Sequence, residues 1–307
     1  MFKKLLIRMN SIKSVFSIKD LENISGIKAH TIRIWEKRYN ILEPMRTDSN
    51  IRLYDAENLQ KLLNITLLHS HGYKISKISQ FPTDKIPELV KDIISDKSAK
   101  IHALSAFKMA MMNFDQALFF NTYDSLLSEK SFREVFSEIF IPLLNEIGLL
   151  WQTGTITPAH EHFICYLVKQ KLLGNIEKKQ VLEPQKTDKV FVLYLPENEI
   201  NELALMYLHY EILFHGYKTI YLGKSIAMEN LKDLTRYFSD IVYVAYCTVA
   251  PSEDFIDKYV AEMHETILKE SHSEFWVLGK MTSSINKEII PPKTSVFTSF
   301  EEAINKL

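Results

Sequence analysis

The sequence has little cysteine, glycine or proline and no long hydrophobic run. Its 307 residues include only 2 cysteines, which cannot build a disulfide framework or a cysteine-rich metal site. With 46% hydrophobic residues, 24% charged residues and only 8 glycines, the chain is neither collagen-like nor wholly disordered. No apolar stretch approaches the roughly 18 residues that cross a bilayer, and the apolar core within residues 1–8 is too short for a signal peptide. We therefore expect a cytoplasmic protein of two or three folded domains.

Charge is unevenly distributed along the chain. Residues 1–80 hold 14 basic and 7 acidic residues, and the remainder holds 23 basic and 31 acidic residues, although the net charge is only −1. A basic first quarter on an acidic remainder is typical of a chain whose N-terminal end binds a polyanion. A solvated basic face has the same composition, so charge alone leaves both interpretations open.

The hydrophobic period changes along the chain and predicts three domains. Residues 16–82 hold short helical patterns around a loop, and they follow an extension at residues 1–15 in which Met9 is an alternative start. Residues 83–180 are helical throughout, with an apolar face from Phe132 to Trp151 that Pro142 interrupts, and they predict a four-helix bundle. Polar residues 177–189 predict a linker. In residues 188–307, short apolar runs alternate with helical patterns, which predicts a Rossmann-like (flavodoxin-like) parallel α/β domain.

The segment from Ser17 to Tyr39 fits a helix-turn-helix. A turn at Ser25-Gly26 separates two helical patterns, and the predicted core consists of Ile18, Leu21, Ile27, Ile32 and Trp35. This packing leaves polar residues on the outer face of the second helix, where a recognition helix contacts bases and phosphates: Lys28, His30, Thr31, Arg33 and Lys37. A predicted β-wing between residues 40 and 55 adds side chains that suit phosphate contact: Arg46, Arg52 and Tyr54. Surface ion pairs, such as one between Arg33 and Glu36, are the alternative role of the arginines.

The residues Thr31-Ile-Arg-Ile-Trp-Glu-Lys-Arg-Tyr39, together with Pro44, Arg46, Arg52 and Tyr54, resemble the winged-helix DNA-binding domain of MerR-type transcription regulators. The resemblance covers about residues 16–80. It implies a double-stranded, palindromic promoter operator as partner, indirect action on RNA polymerase, and DNA contacts from Thr31, Arg33, Tyr39, Arg46, Arg52 and Tyr54.

Two features of many MerR-type proteins are missing from this sequence. The long dimerising coiled coil is not expected, because residues 84–100 contain Pro87 and a polar stretch without sustained heptads. The cysteines through which metal-sensing members bind metal are also lacking there, so we expect no metal site.

The predicted order of domains resembles the cobalamin-dependent MerR-type repressors that act as light sensors. Trp151, followed after nine residues by Glu161 and His162, matches the Trp-x9-Glu-His motif with which that family covers the upper face of adenosylcobalamin. Taken alone, Trp151 could equally be a core residue at a helix end, and His160-Glu-His162 an exposed helix start.

The motif for the lower face of cobalamin is degraded. The resemblance implies a cobalt-ligating histidine in an Asp/Glu-x-His-x-x-Gly loop after the first α/β strand, but here Glu199 is followed by Asn201 in the histidine position and Ala204 in the glycine position. Neutral imidazole presents a nitrogen lone pair to a transition metal, whereas the lone pair of an amide nitrogen is delocalised.

This sequence also differs from that family at two further motifs. The Ser-x-Leu motif is replaced by Cys247-Thr248-Val249, and Gly-Gly by Gly279-Lys280. We therefore expect a remnant of a cobalamin site, without histidine-ligated adenosylcobalamin, at Trp151, Glu161, His162, Glu199, Asn201, Thr248 and Gly279.

Three functions are compatible with these motifs. The preferred hypothesis is a sequence-specific DNA-binding regulator of MerR type whose cobalamin-domain-like module serves homodimer or homotetramer formation and ligand sensing. The alternative is a repressor that still binds cobalamin and responds to light or a ligand. A corrinoid-dependent methyltransferase or mutase component is the least favoured hypothesis. The sequence shows no substrate barrel, phosphate loop, His-Glu-x-x-His motif or Ser/His/Asp order, so we do not expect an enzyme.

Overall fold

The computed structural model describes residues 15–47, 49–83, 85–92 and 96–307. Apart from Val15, the predicted N-terminal extension lies outside the described residues, as does the alternative start at Met9. The chain forms two compact units, one ending at Val168 and the other running from Lys169 to Leu307. None of the described helices is both long and apolar enough to cross a membrane.

The first unit begins with a winged helix-turn-helix, as the sequence predicts. Ser17 caps the first helix through a capping box with Asp20, and the Ser25-Gly26 turn separates this helix from the second. Asp55 caps the third helix by accepting a hydrogen bond from the N–H of Asn58. The elements are β1 (Phe16–Ser17), α1 (Ile18–Ser25), α2 (Ala29–Tyr39), β2 (Met45–Arg46), β3 (Arg52–Tyr54), α3 (Ala56–Ser70) and α4 (Ile75–Ile78). The wing is an antiparallel sheet of order β1-β3-β2, so it also includes the strand before α1.

A helical bundle follows in the same unit. Its helices are α5 (Lys85–Asp92), α6 (Asp96–Asn113), α7 (Gln116–Leu127), α8 (Phe132–Val135), α9 (Ile141–Gln152) and α10 (Pro158–Gln180). A π-helical turn at Phe136–Phe140 joins α8 to α9 directly before Pro142, which has no N–H for the helical ladder. Pro142 therefore disturbs the long apolar helix, as predicted. The buried rings of Phe107, Phe119 and Phe140 pack together in the core of the bundle.

The predicted linker at residues 177–189 is wrong at both ends. Helix α10 continues to Gln180, and the first strand of the sheet already begins at Lys186. The segment is polar because the end of the helix and the start of the strand are exposed, and lysines in the last helical turn complement the helix dipole. Only residues 181–185 connect the two elements.

The second unit is a flavodoxin-like α/β domain, as predicted. Its elements are β4 (Lys186–Tyr194), α11 (Glu202–Phe214), β5 (Tyr217–Gly223), α12 (Met228–Lys232), β6 (Ile241–Tyr246), α13 (Ile256–Met263), β7 (Glu274–Leu278), β8 (Thr294–Val296) and α14 (Phe300–Ile304). All sheet pairings are parallel, in the order β5-β4-β6-β7-β8. Separate hydrophobic clusters cover the two faces of the sheet, which explains the continuous apolar strands in the sequence.

This strand order fixes where a ligand would bind. The chain leaves β4 towards β5 on one side and returns to β6 on the other side, so the connections diverge above the carboxyl ends of β4 and β6. Ligands of doubly wound α/β domains bind in the crevice at such a switch point. The loops from residue 195 to 201 and from residue 247 to 255 form this crevice.

Gly279 is required by a close backbone approach beside the crevice. It has a φ of +104°, and a Cβ at this position would overlap the carbonyl group of Cys247. That carbonyl accepts a hydrogen bond of 3.0 Å from the N–H of Met281, so the backbone cannot easily move away. The first glycine of the family's Gly-Gly pair thus keeps a structural role in this chain.

We expect Gly279→Ala to lower the free energy of unfolding of the α/β domain by about 2–4 kcal/mol, because it combines left-handed backbone strain with a steric overlap. Gly174→Ala is the matched control, since Gly174 lies in α10 with open space around its Cα, and alanine should stabilise the helix by up to about 1 kcal/mol. Urea unfolding followed by far-UV circular dichroism measures both variants. Equal stability of the two would contradict the close approach at Gly279.

Candidate nucleic-acid interface and the crevice of the α/β domain

A carboxylate from α1 holds the start of the second helix. Lys28 precedes α2 and makes no side-chain cap, but Glu22 accepts a hydrogen bond of 3.1 Å from the N–H of Ala29. Glu22 also pairs with Lys19 and Lys28, and the pKa of Glu22 falls to about 2, chiefly because of the Ala29 N–H. The bond satisfies a donor that would otherwise have no partner at the helix N-terminus. Glu22 therefore fixes the turn of the helix-turn-helix.

The outer face of α2 is polar, as the sequence predicts. Its inner side carries Ile32 and Trp35, which are both buried, whereas Ile18 and Ile27 of the predicted core are only half-buried. Thr31 is half-buried, and four predicted contact residues are exposed: Lys28, His30, Arg33 and Lys37. Tyr39 is half-buried at the end of the helix, where the guanidinium of Arg38 lies 5.8 Å from its ring.

Glu36 ties α2 to the wing. Its carboxylate accepts hydrogen bonds of 2.9 Å from the Nε of Arg52 and of 2.9 Å from the hydroxyl of Tyr54. The bond to Glu36 raises the pKa of Arg52, and burial together with Glu36 raises the pKa of Tyr54. The ion-pair role considered for the arginines therefore applies to Arg52, and among the described residues Glu36 forms its ion pair with Arg52 and not with Arg33.

The burial of Tyr54 does not fit its predicted contact with DNA. The side chain is 0% exposed and its hydroxyl is engaged by Glu36. The reason is that Tyr54 ends β3 on the inner side of the wing, so the residue belongs to the core that holds Arg52 in place. Arg52 itself keeps 31% of its side chain exposed. Arg46 is exposed at the tip of the wing, where its guanidinium donates to the side-chain oxygen of Asn50.

Sequence reasoning missed two exposed lysines next to this surface. Lys74 directly precedes α4 and Lys77 lies within it, and this short helix packs against α2. The ammonium of Lys77 lies 5.9 Å from the ring of Tyr73. A Lys-x-x-Lys pattern directly after the Gly72 helix stop was the signal that could have identified them.

The side chains of the Trp-x9-Glu-His motif lie at the surface of the bundle and not in its core. Trp151 is 52% exposed in the last turn of α9, so it is not a core residue. Glu161, in the first turn of α10, is half-buried, and the next residue, His162, is exposed. His160, by contrast, is buried and stacks on Phe114 with ring centroids 4.7 Å apart. The interpretation of His160 and His162 as an exposed helix start therefore holds only for His162.

In the α/β domain, Glu199 joins the two loops of the crevice. Its carboxylate is 3% exposed and accepts hydrogen bonds from the N–H groups of Ile200 and Asn201 in its own loop. It also accepts from the loop after β6, namely from the Thr248 hydroxyl and from three successive backbone N–H groups: Thr248, Val249 and Ala250. Successive N–H groups of this kind form an anion-binding concavity, and here an internal carboxylate fills it.

The charge of Glu199 is stabilised in this position. Burial by itself raises the pKa of a carboxyl group, but the backbone N–H groups led by Val249 outweigh that effect, and the pKa of Glu199 is lowered. The ionised form is therefore the one that holds the loops. Asn201, in the position of the family's histidine, is exposed and binds Glu199 through its backbone N–H.

Side chains fill the space beneath the crevice. The hydroxyls of Tyr194 and Tyr259 lie 2.8 Å apart, and both rings pack in the same cluster as the fully buried Cys247. Burial raises the pKa values of Tyr194 and Cys247, so both side chains are neutral. Cys247 stands where the family has the serine of its Ser-x-Leu motif, and Tyr194 and Tyr259 occupy the core beside it.

The residues of the crevice do not fit a histidine-ligated corrin. The α/β domain, which the structure describes throughout, has its four histidines at His209, His215, His264 and His272, and none of these lies in the loops after β4, β6 or β7. His209 is buried in α11 and bonds to Thr219, and burial lowers the pKa of His209 to about 4. Within the described residues, no group of three or more His, Cys, Asp or Glu side chains is arranged to hold a metal ion.

Comparison with known proteins agrees with this architecture. A model of the MerR HTH family of regulatory proteins matches residues 16–82, and a model of the B12 binding domain matches residues 103–173. The HTH-type transcriptional repressor CarH of Myxococcus xanthus is 24% identical over 253 residues, which cover 79% of this chain and 82% of CarH. CarA of the same organism is 21% identical over 242 residues, which cover 78% of each chain. The chain is a homologue of MerR-type transcriptional regulators.

Two further similarities cover parts of this MerR homologue. The HTH-type transcriptional regulator MlrA of Escherichia coli is 28% identical over 65 residues, or 21% of this chain and 27% of MlrA. The monomethylamine corrinoid protein of Methanosarcina barkeri shares the fold with a TM-score of 0.55 at 10% identity, covering 69% of this chain and 98% of that protein. This likeness extends to the fold alone.

We expect Glu199→Gln to lower the free energy of unfolding of the α/β domain of this MerR homologue by about 2–4 kcal/mol at pH 7, because a neutral amide replaces an anion that several N–H groups bind. The folded-state pKa of Glu199 is lowered from 4.5, so its stabilising effect is present above about pH 4.5 and is lost as the pH falls through the folded-state value. The two proteins should therefore converge in acid. Urea unfolding at pH 7 and at a pH below 4.5 measures the difference in the free energy of unfolding between wild type and variant. Glu197→Gln, two residues earlier and exposed, is the control. A difference that stays constant across this pH range would show that the ionised carboxylate of Glu199 does not hold the two loops together.

Proposed function

We propose that the protein binds a palindromic promoter operator as a homodimer or homotetramer and regulates transcription in the cytoplasm, acting on RNA polymerase indirectly. The observation that carries the proposal is the organisation of the DNA-binding domain. Two carboxylates, Glu22 and Glu36, fix α2 and the wing, and the exposed outer face of α2 carries the cations Arg33 and Lys37. A rigid surface of this kind is what reading of base edges in the major groove requires.

The proposed division of labour assigns DNA binding to residues 16–82, the bundle to 83–180 and the α/β domain to 186–307, where the predicted start at 188 is moved to the first residue of β4. The proposed DNA contacts are Lys28, His30, Thr31, Arg33, Lys37, Tyr39, Arg46 and Arg52. Residues at the start of a recognition helix suit base edges, whereas the wing arginines suit phosphates. Tyr54 is left out because it is buried. Lys74 and Lys77 are added as phosphate contacts.

We propose that the bundle and the α/β domain serve oligomerisation and ligand sensing without histidine-ligated adenosylcobalamin. Glu199 is saturated by the two loops, Asn201 offers only an exposed amide, and tyrosine side chains pack beneath the crevice. We propose no enzymatic activity, since the candidate residues of the crevice lack the donor on which corrinoid chemistry would depend.

The second candidate is a repressor that retains cobalamin and responds to light or a ligand. The match of residues 103–173 to a B12 binding domain and the exposed Trp151 favour it. Such a protein would have to hold the corrin through Trp151, Glu161 and His162 of the bundle without an imidazole from the α/β domain. This is the weaker candidate because half of the donor set is missing.

Selection from random DNA duplexes should yield a palindromic site that wild-type protein binds with a Kd of about 10⁻⁸ M or tighter at physiological salt. We expect Arg33→Ala to reduce affinity by about 5- to 100-fold and to relax base preference at one position of each half-site. Arg46→Ala should weaken binding to all duplexes alike. It should also reduce the slope of log association constant against log salt concentration by about one, which corresponds to the loss of one phosphate contact. Fluorescence anisotropy measures these constants.

The control is Lys232→Ala in the α/β domain, an exposed lysine that should leave every constant unchanged. Weak, sequence-blind binding by the wild-type protein would count decisively against the proposed function.

A further inference from the structure

The DNA-binding domain and the bundle are joined by a small set of polar contacts inside the first unit. The side-chain amide of Asn23 donates a hydrogen bond of 2.8 Å to the hydroxyl of Thr155. The ammonium of Lys108 donates to the carbonyl oxygen of Ile24 at 3.1 Å and pairs with Glu146 at 2.8 Å. We call these contacts of Asn23, Ile24, Lys108, Glu146 and Thr155 the latch.

Two residues of the latch, Lys108 and Thr155, are shielded from bulk water, whereas the side chain of Glu146 is 41% exposed. Thr155 is fully buried, and the side chain of Lys108 is only 12% exposed, so its charge is held by the carbonyl and the carboxylate together. Ile24 is in the last turn of α1, where carbonyl groups lack helical partners and a cation complements the helix dipole. Lys108 therefore has a favourable place at this helix end, and its removal would leave a carbonyl without a donor.

The latch connects two functionally important segments. On one side, Asn23 and Ile24 directly precede the Ser25-Gly26 turn that leads into α2. On the other side, Thr155 lies in the loop between Trp151 at the end of α9 and Glu161 at the start of α10. A shift of that loop changes the position of Thr155, to which the turn of the helix-turn-helix is bonded.

The latched arrangement leaves the DNA-facing side chains exposed. Lys28, Arg33 and Lys37 are exposed while Asn23 and Thr155 are in contact. The latch therefore does not hide the DNA-binding surface. A contact that fixes the orientation of the DNA-binding domain on the bundle removes part of the ordering entropy that binding of two linked domains to two half-sites would otherwise require.

We propose that Asn23, Lys108 and Thr155 are positioning residues that orient the DNA-binding domain on the bundle and couple the loop at residues 153–157 to operator affinity. The inference rests on the proposed function, since it concerns how DNA is bound. A rigidly oriented domain raises the effective concentration of the second DNA-binding domain of an oligomer at the second half-site. By linkage, a ligand that binds this loop and changes operator affinity by a given factor would itself be bound more tightly or more weakly by the same factor when the operator is bound.

The test is a double-mutant cycle of Asn23→Ala and Thr155→Val on the full chain. Each single variant should lower affinity for the two-half-site operator about three- to tenfold. The double variant should lose no more than Thr155→Val alone, because Thr155→Val removes the bond to Asn23 together with the 3.0 Å contact between the hydroxyls of Thr153 and Thr155. Affinity for an isolated half-site should be unchanged, since neither residue faces DNA. Lys108→Met removes the second contact independently and should give the same pattern.

Thr122→Val is the matched control, because the hydroxyl of Thr122 donates to the carbonyl of Leu118 within α7 and should not affect DNA affinity. The variants should fold, since α3 also packs against α5 and α6, and thermal unfolding of each variant verifies this. Additive losses, equal losses on half-site and full operator, or no loss at all would each overturn the latch. Failure of the wild-type protein to select any DNA would instead refute the proposed function, on which the latch depends.

Discussion

One buried carboxylate holds the ligand-binding edge of the α/β domain together. Glu199 accepts hydrogen bonds from five backbone N–H groups and one hydroxyl, and these groups belong to both loops of the switch-point crevice. The loops after β4 and β6 are where flavodoxin-like domains bind their ligands. The carboxylate of Glu199 occupies the N–H groups of the loop after β6, and we propose that this edge serves as a structural joint rather than as a ligand site.

Internal carboxylates have the same use in the DNA-binding domain. Glu22 binds the first N–H of α2, and Glu36 binds Arg52 and Tyr54, so each acidic residue fixes one edge of the recognition helix. These carboxylates pair with Lys28 and Arg52, whereas Arg33 and Lys37 are exposed on the outer face of α2. Positive charge at the surface, rather than its total amount, is what long-range attraction to a polyanion requires.

The fold was largely predictable, because its signals are local. The cap at Ser17, the turn at Gly26 and the continuous apolar strands each act over a few residues, and the comparisons confirm the MerR and corrinoid-type architecture. The linker was mispredicted because polarity marks exposure, and an exposed helix end or strand start is polar as well. Long-range partners were beyond prediction: the hydroxyl of Tyr54 bonds to Glu36, which is 18 residues away, and the two bonds of the latch between the DNA-binding domain and the bundle join residues 84 and 132 positions apart. For the crevice, the sequence alone showed that Asn201 stands in place of the family's histidine. The hydrogen bonds of Glu199 to both loops and the Tyr194–Tyr259 pair could be recognised only in the structure.

The absorbance spectrum of protein purified in the dark from cells fed adenosylcobalamin tests most directly whether the crevice of the α/β domain binds the cofactor. The corrinoid protein of Methanosarcina barkeri, prepared in parallel, is the positive reference for a corrin spectrum. If the joint at Glu199 has replaced the ligand site, the protein is colourless and its elution volume in size-exclusion chromatography is the same with and without the added cofactor. A pink protein with one tightly bound corrin per chain would refute this conclusion.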